Sequence, residues 1–203
     1  VLGRDRFPVD VETVARELSQ QWCPASPITK IDGHKGLGRF EGALQQHPRG
    51  KYWRIKFNAD RRPSRARFTI AHEMGHFVLH REGRGRFQCD KAGVTSGQND
   101  GRDIEREANA FASQLLMPRD DLDRLVGDHC KVTFHLLSDI ARTFQVSFEA
   151  LCLRFIEITD QRAILIRWDN GFLDYERRSS SALRTRAGYK IPGQTQEPVA
   201  DSS

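Results

Sequence analysis

An α+β fold is predicted for this chain of 203 residues. It comprises an N-terminal helix, a small antiparallel sheet, a long helix with one polar side, a helical second half, and a C-terminal β-hairpin followed by a structureless tail. Three observations carry that prediction. The run Lys51-Tyr52-Trp53-Arg54-Ile55-Lys56-Phe57-Asn58 alternates between apolar and polar side chains, the period of a half-buried strand. Residues 67–80 and 103–117 repeat their apolar positions at intervals of three and four, the period of helices. Near the end, Asn170-Gly171 stands between two alternating runs, a strong short-range signal for a hairpin.

Taken in chain order, Asp10 to Trp22 puts Val11, Val14, Ala15 and Leu18 on one face of a helix. Pro24, Pro27, Gly33, Gly36 and Gly38 then mark a turn-rich stretch. Residues 39–45 and 51–58 form a hairpin that feeds the helix over 67–80. That helix carries Ile70, Met74, Phe77 and Val78 on one side and His72, Glu73, His76 and His80 on the other, away from the apolar stripe. Residues 82–102 hold five glycines and few apolar side chains, which reads as a mobile loop. The helix over 103–117 begins with Asp103 as N-cap and stops at Pro118. Further helices are expected within 119–126, 133–143 and 147–156, then strands over 162–168 and 172–176. The serine run and polar tail beyond Arg178 read as disordered. The expected organisation is therefore one domain over 8–156, a hairpin appendage over 157–178 and a tail over 179–203.

The chemistry concentrates in two short segments, His72-Glu73-Met74-Gly75-His76 and Glu105-Arg106-Glu107-Ala108-Asn109. Histidines four apart on a helix lie on one face about 6 Å apart along the axis, so both imidazoles reach one ion. Glu73, one step after the first histidine, points beside that ion, where a general base takes a proton from water. Gly75 leaves room for a neighbouring element to approach closely. A catalytic zinc site keeps three protein ligands and one open position. His80 lies about 12 Å along the axis from His72, too far to complete the set from a straight helix. The helix over 103–117 buries Ile104, Ala108, Phe111, Ala112 and Leu115, and Glu105 sits at the edge of that stripe in line with Asn109. Glu107 lies about 200° away, on the solvent side. Glu105 is therefore the expected third ligand, the alternative being a first-turn glutamate favoured only by the helix dipole, and Asn109 is placed to orient a ligating side chain.

The segments Arg67-Phe68-Thr69-Ile70-Ala71-His72-Glu73-Met74-Gly75-His76-Phe77-Val78-Leu79-His80 and 105–118, ending Leu115-Leu116-Met117-Pro118, resemble the ImmA/IrrE metallopeptidases of bacteria and their mobile elements. The resemblance covers roughly residues 10–155. It implies a thermolysin-like minimal zincin with His72, His76 and Glu105 holding zinc and Glu73 as base. It also implies a protein substrate, a helix-turn-helix repressor of XRE type, whose cleavage relieves repression in a stress response or a mobile-element switch. In zincins the edge strand before the motif helix holds the substrate as an added strand, so a peptide is expected to pair beside the 39–58 hairpin. Some relatives carry a C-terminal sensor of GAF type. About fifty residues follow the resemblance here, too few for such a domain.

A carboxylate among the ligands makes the site tolerant of Mn2+ or another divalent ion besides Zn2+. His80 and Tyr52 are candidates for stabilising the oxyanion, with neither placed by the sequence. No stretch approaches ~18 consecutive apolar residues, so no membrane span is expected and the chain reads as cytoplasmic. The cysteines at 23, 89, 130 and 152 form no Cys-x-x-Cys pair and read as reduced thiols. Cys89 falls in the loop between the motif helices, within sequence reach of the metal. The net charge of +5 is mild. Arg61, Arg62, Arg65 and Arg67 precede the motif helix, and Arg81, Arg84 and Arg86 follow it, either as a rim that steers an acidic partner or as ordinary solvated arginines.

Two rival functions stand beside the endopeptidase. One is a metal-binding regulator that sequesters its repressor without cutting it. The other is a helix-turn-helix DNA-binding module over residues 136–155. Its would-be recognition helix offers Phe148, Leu151, Cys152, Leu153 and Phe155 against only Glu149 and Arg154, the composition of a core helix, so direct DNA binding is not expected.

Overall fold

The computed structural model describes residues 6–82, 85–90, 99–127, 131–170 and 172–188. The chain divides into two compact units, the first formed by the described residues up to Pro118 with Arg142–Ser147, the second by those of Arg119–Ala141 and from Phe148 onward. No helix among the described residues is long and apolar enough to cross a membrane.

In the first unit, α1 (Val11–Trp22) starts where Asp10 accepts the Thr13 amide at 3.1 Å and the Thr13 hydroxyl at 2.8 Å. These bonds satisfy a donor that the helix itself leaves open. Ser19, buried on α1, accepts the Ile28 amide at 2.9 Å and so ties the helix to β1 (Ile28–His34). The predicted hairpin is present as β2 (Phe40–Gln46) and β3 (Trp53–Asn58), with Leu44 opposite Ile55 and neither exposed.

The sheet differs from the expected antiparallel hairpin in having four strands, ordered β1-β3-β2-β4, with β1 parallel to β3. Residues 28–34 are thus a strand within the stretch expected to be turns. Gly33 is there for proximity: a Cβ at that position would lie 2.8 Å from the Phe57 ring. The second addition, β4 (Arg86–Asp90), pairs antiparallel with β2 inside the expected mobile loop. Residues 91–98 of that loop lie outside the described residues.

Of two long helices, α2 (Pro63–His80) packs on this sheet and α3 (Asn99–Leu116) packs against α2. Pro63 occupies the first helical position of α2, where its missing amide costs nothing. α3 begins four residues before the expected cap, and Asp103 within it bonds Arg106 at 2.8 Å. The buried line of α3 is Ala108, Ala112 and Leu116: the two alanines belong to the expected stripe, Leu116 lies on the line of Glu105, and Ile104, Phe111 and Leu115 are half-buried.

The second unit holds α4 (Arg119–Val126), most of α5 (Phe134–Phe144), α6 (Phe148–Ile158), the β5–β6 hairpin (Ile164–Asp169 and Phe172–Arg178) and α7 (Ser180–Arg184). α6 buries Leu151, Cys152, Phe155 and Ile156, as a core helix does. The expected tail begins with structure. Buried Ser179 accepts the amides of Ala182 at 3.2 Å and Ala163 at 3.1 Å and donates to the Gln161 carbonyl at 2.8 Å, capping α7 and closing the base of the hairpin. Residues 189–203 lie outside the described residues.

Candidate metal centre

The site is built where α2 and α3 cross. Their close approach depends on Gly75, because a Cβ there would stand 3.1 Å from both the Cα and the carbonyl oxygen of Ala108. α2 is enclosed by the sheet on one side and α3 on the other, so its polar face is buried along with its apolar one. His72 is 6% exposed, and Glu73 and His76 are fully enclosed. The sequence separates the histidines from the apolar stripe but does not show that a second helix covers them. Burying a carboxylate and two imidazoles costs free energy unless they are compensated, so such a cluster marks function more often than stability.

His72 Nε2 and His76 Nε2 lie 3.0 Å apart. Glu105 reaches both, with Oε2 3.2 Å from His72 Nε2 and Oε1 3.3 Å from His76 Nε2. One ligand atom from each residue falls within a sphere where all three are no more than 4.8 Å from one another, close enough for a single ion. The donor set fits a divalent cation. Two imidazole nitrogens and one carboxylate turned toward a common point bring lone pairs together, an arrangement that a cation between them stabilises.

Burial alone would raise the Glu105 carboxyl, but the hydrogen bonds and charges of His72 and His76 outweigh it and hold Glu105 well below the usual carboxylate range. Burial holds His76 below the ordinary histidine value, against the pull of Glu105. Both directions favour the forms that ligate a metal, an anionic carboxylate and a neutral imidazole.

The outer nitrogens are also occupied. His72 Nδ1 lies 3.0 Å from Asn109 Oδ1, the orienting contact expected of Asn109. His76 Nδ1 lies 3.2 Å from His80 Nδ1, and His80 Nε2 lies 2.9 Å from Glu107 Oε2. Glu107 is largely exposed, as its helical angle predicts, yet its carboxylate turns back onto α2. Phe87 of β4 stacks on the His76 ring with centroids 4.7 Å apart and planes 12° from parallel.

Glu73 points toward β2. A Cβ at Gly42 would lie 2.8 Å from Glu73 Oε1 and 2.4 Å from Thr69 Cγ2, so the glycine makes the space that the carboxylate fills. Tyr52 is engaged elsewhere among the described residues, its ring 4.7 Å from that of His47 and 5.4 Å from the Lys30 ammonium. Cys89 falls in β4 opposite Gly42, and its side chain lies outside the described residues. Several of the flanking arginines are structural. Arg61 and Arg65 pair with buried Glu41 at 2.9 and 3.0 Å, Arg67 donates to the Phe144 carbonyl at 3.4 Å, and Arg81 donates to the carbonyls of Phe77 and Val78.

Comparison with known proteins adds a family and a distant structural likeness. A peptidase family model described as the IrrE N-terminal-like domain matches residues 27–155. No curated protein matches the chain. Among solved structures, a Mycobacterium tuberculosis transcriptional regulator is similar over 83% of this chain and 49% of its own, at 19% identity and a TM-score of 0.49. The chain thus spans about half the length of that regulator.

Proposed function

The chain belongs to the peptidase family of the IrrE N-terminal-like domain, and from that premise we propose that it is a zinc-dependent endopeptidase acting on a protein partner. His72, His76 and Glu105 hold the ion, and Glu73 is the general base. The observation that carries this reading is the convergence of the three ligand atoms within 4.8 Å, with Glu73 enclosed on the same helix.

A divalent ion held by these three residues would supply Lewis acidity to water and to a peptide carbonyl. The protein does the rest. His72 and His76 are held rigid by contacts at their outer nitrogens, so the ligand geometry is set before substrate arrives. Glu73 takes a proton from the attacking water and returns it to the leaving amine. Because β4 occupies the edge of β2, the peptide pairs along β4 rather than beside the hairpin itself. The substrate class that fits this family reading is a helix-turn-helix repressor of XRE type, cut to relieve repression in a stress response or a mobile-element switch.

The test is a mass-spectrometric catalogue of new protein N-termini in cells expressing the wild type or Glu73→Gln. New termini within one repressor that require Glu73 are the expected result. Full biological output from the Glu73→Gln variant, with no Glu73-dependent termini, would instead identify a regulator that binds its partner without cutting.

A further inference from the structure

We propose that Phe68 is a specificity-determining residue, the wall on which the substrate packs an apolar side chain next to the bond to be cut, a role that rests on the peptidase reading of the metal centre above. The two ends of that centre differ. At His76 it is closed: His76 has no exposed surface, Phe87 of β4 stacks on its ring and is itself buried, and the His80 ring, its centroid 5.4 Å away, is nearly as enclosed. At His72 it is partly open, because Asn109, which contacts His72, is exposed, and Glu105 and Phe68 are only half-buried. A substrate therefore reaches the three ligands past His72 and not past His76.

Phe68 stands one helical turn before His72, so the two side chains are neighbours on the surface of α2. Their ring centroids lie 6.4 Å apart with planes 30° from parallel, and the phenyl ring extends the imidazole surface in the direction away from His76. Strand β4 leads the same way. Phe87 lies on His76, whereas Cys89 pairs with Gly42, which faces Thr69 and Glu73 nearer the start of α2. A peptide paired along β4 is thereby carried toward Phe68. The ring is also held in place: the Arg65 guanidinium lies 5.8 Å from its centroid, and Arg65 Nε donates to buried Glu41 at 3.0 Å. An apolar side chain laid on a fixed, half-open ring removes both surfaces from water, which favours leucine over a polar residue of the same size.

The test uses the whole chain, first titrated with Zn2+ and then, loaded, with N-acetyl-leucine hydroxamate or N-acetyl-asparagine hydroxamate, all read by calorimetry. The hydroxamate group binds zinc, and the two compounds differ only in a side chain of nearly equal size, so their ratio isolates apolar character. The wild type should bind the leucine compound at least about 10-fold more tightly. Phe68→Ser should remove most of that preference. Phe68→Leu, which keeps an apolar side chain, should retain most of it. Zn2+ affinity should stay within a few-fold of wild type in both variants, because Phe68 supplies no ligand atom.

Equal affinity of the Zn2+-loaded wild type for the two compounds, or binding of neither, would overturn this role for Phe68. So would an undiminished preference in Phe68→Ser, or loss of Zn2+ binding in both variants, which would make Phe68 part of the fold and not of the cleft. A wild type that binds no Zn2+ would instead overturn the metal-centre reading on which the role stands.

Discussion

Helices α2 and α6 are both enclosed in their units, but they treat buried polar groups differently. α2 encloses His72, Glu73 and His76 among Ile70, Met74 and Phe77, whereas α6 encloses Leu151, Cys152, Phe155 and Ile156, pairs its buried Arg154 with Glu157 at 2.9 Å, and leaves Glu149 at the surface. Glu149 is partnered in an ordinary way, accepting from the Tyr175 hydroxyl at 2.8 Å and from Arg167. The imidazoles of His72 and His76 on α2 and the carboxylate of Glu105 on α3 converge, with one ligand atom from each within 4.8 Å of the others. The contrast separates two reasons for burial. α6 is buried because its side chains leave water favourably, at about 25 cal/mol per Å² of apolar surface. The polar side of α2 is buried at a cost, which a bound ion would offset.

The largest effect expected from breaking this contrast is at Glu73. Glu73→Gln preserves volume but removes the base, and peptidase activity should fall by about 10²- to 10⁴-fold. Zn2+ affinity should hold. Activity within a few-fold of wild type, measured on the cleaved partner, would remove Glu73 from its role. The converse test is Leu151→Ala in α6. It should cost about 2–5 kcal/mol in denaturant unfolding, with no change in the Zn2+ affinity of the folded protein. A coupled loss of metal binding would show that α6 is more than a packing element.

A third variant joins packing to chemistry. Gly42→Ala drives a methyl group to 2.8 Å from Glu73 Oε1 and 2.4 Å from Thr69 Cγ2. Overpacking of this kind costs about 1–3 kcal/mol. Activity should fall further than stability because the displaced atom belongs to the base. Equal residual activity per folded molecule would mean that Glu73 tolerates displacement.

The same contrast explains which parts were legible in the sequence. His72, Glu73 and His76 lie within one turn of one helix, where spacing alone encodes geometry, and the angle of Glu105 on α3 singled it out as the candidate third ligand, whose carboxylate the structure brings to the two histidines. Strands β1 and β4 were hidden for different reasons. Gly33 imitates a turn although it serves the approach of Phe57, and β4 places Phe87 between polar residues in a glycine-rich stretch. The His80–Glu107 contact escaped because a helical angle places a Cα and not the reach of a flexible acid across to another helix. Burial of α2 on both faces over residues 69–77 escaped for a related reason: periodicity describes one helix, and the second cover comes from α3.

The smallest expected effect is at Glu149, the surface acid of α6. The Tyr175 hydrogen bond, opposed by modest burial and aided by Arg167, lowers its pKa from the ordinary 4.5. A carboxyl with a depressed folded-state pKa adds stability that is complete above the unfolded value and fades as pH falls through the folded one. The contribution of Glu149 should therefore be present above about pH 4.5 and disappear below it. Nearly half of its side chain is in water, so screening keeps the contribution small. Chemical denaturation across that acid range should give a slightly shallower loss of stability in Glu149→Gln than in wild type. A steeper loss would mean that Glu149 is strained in the fold, and the difference between a partnered surface acid and the enclosed acid of α2 would then no longer follow from solvent exposure.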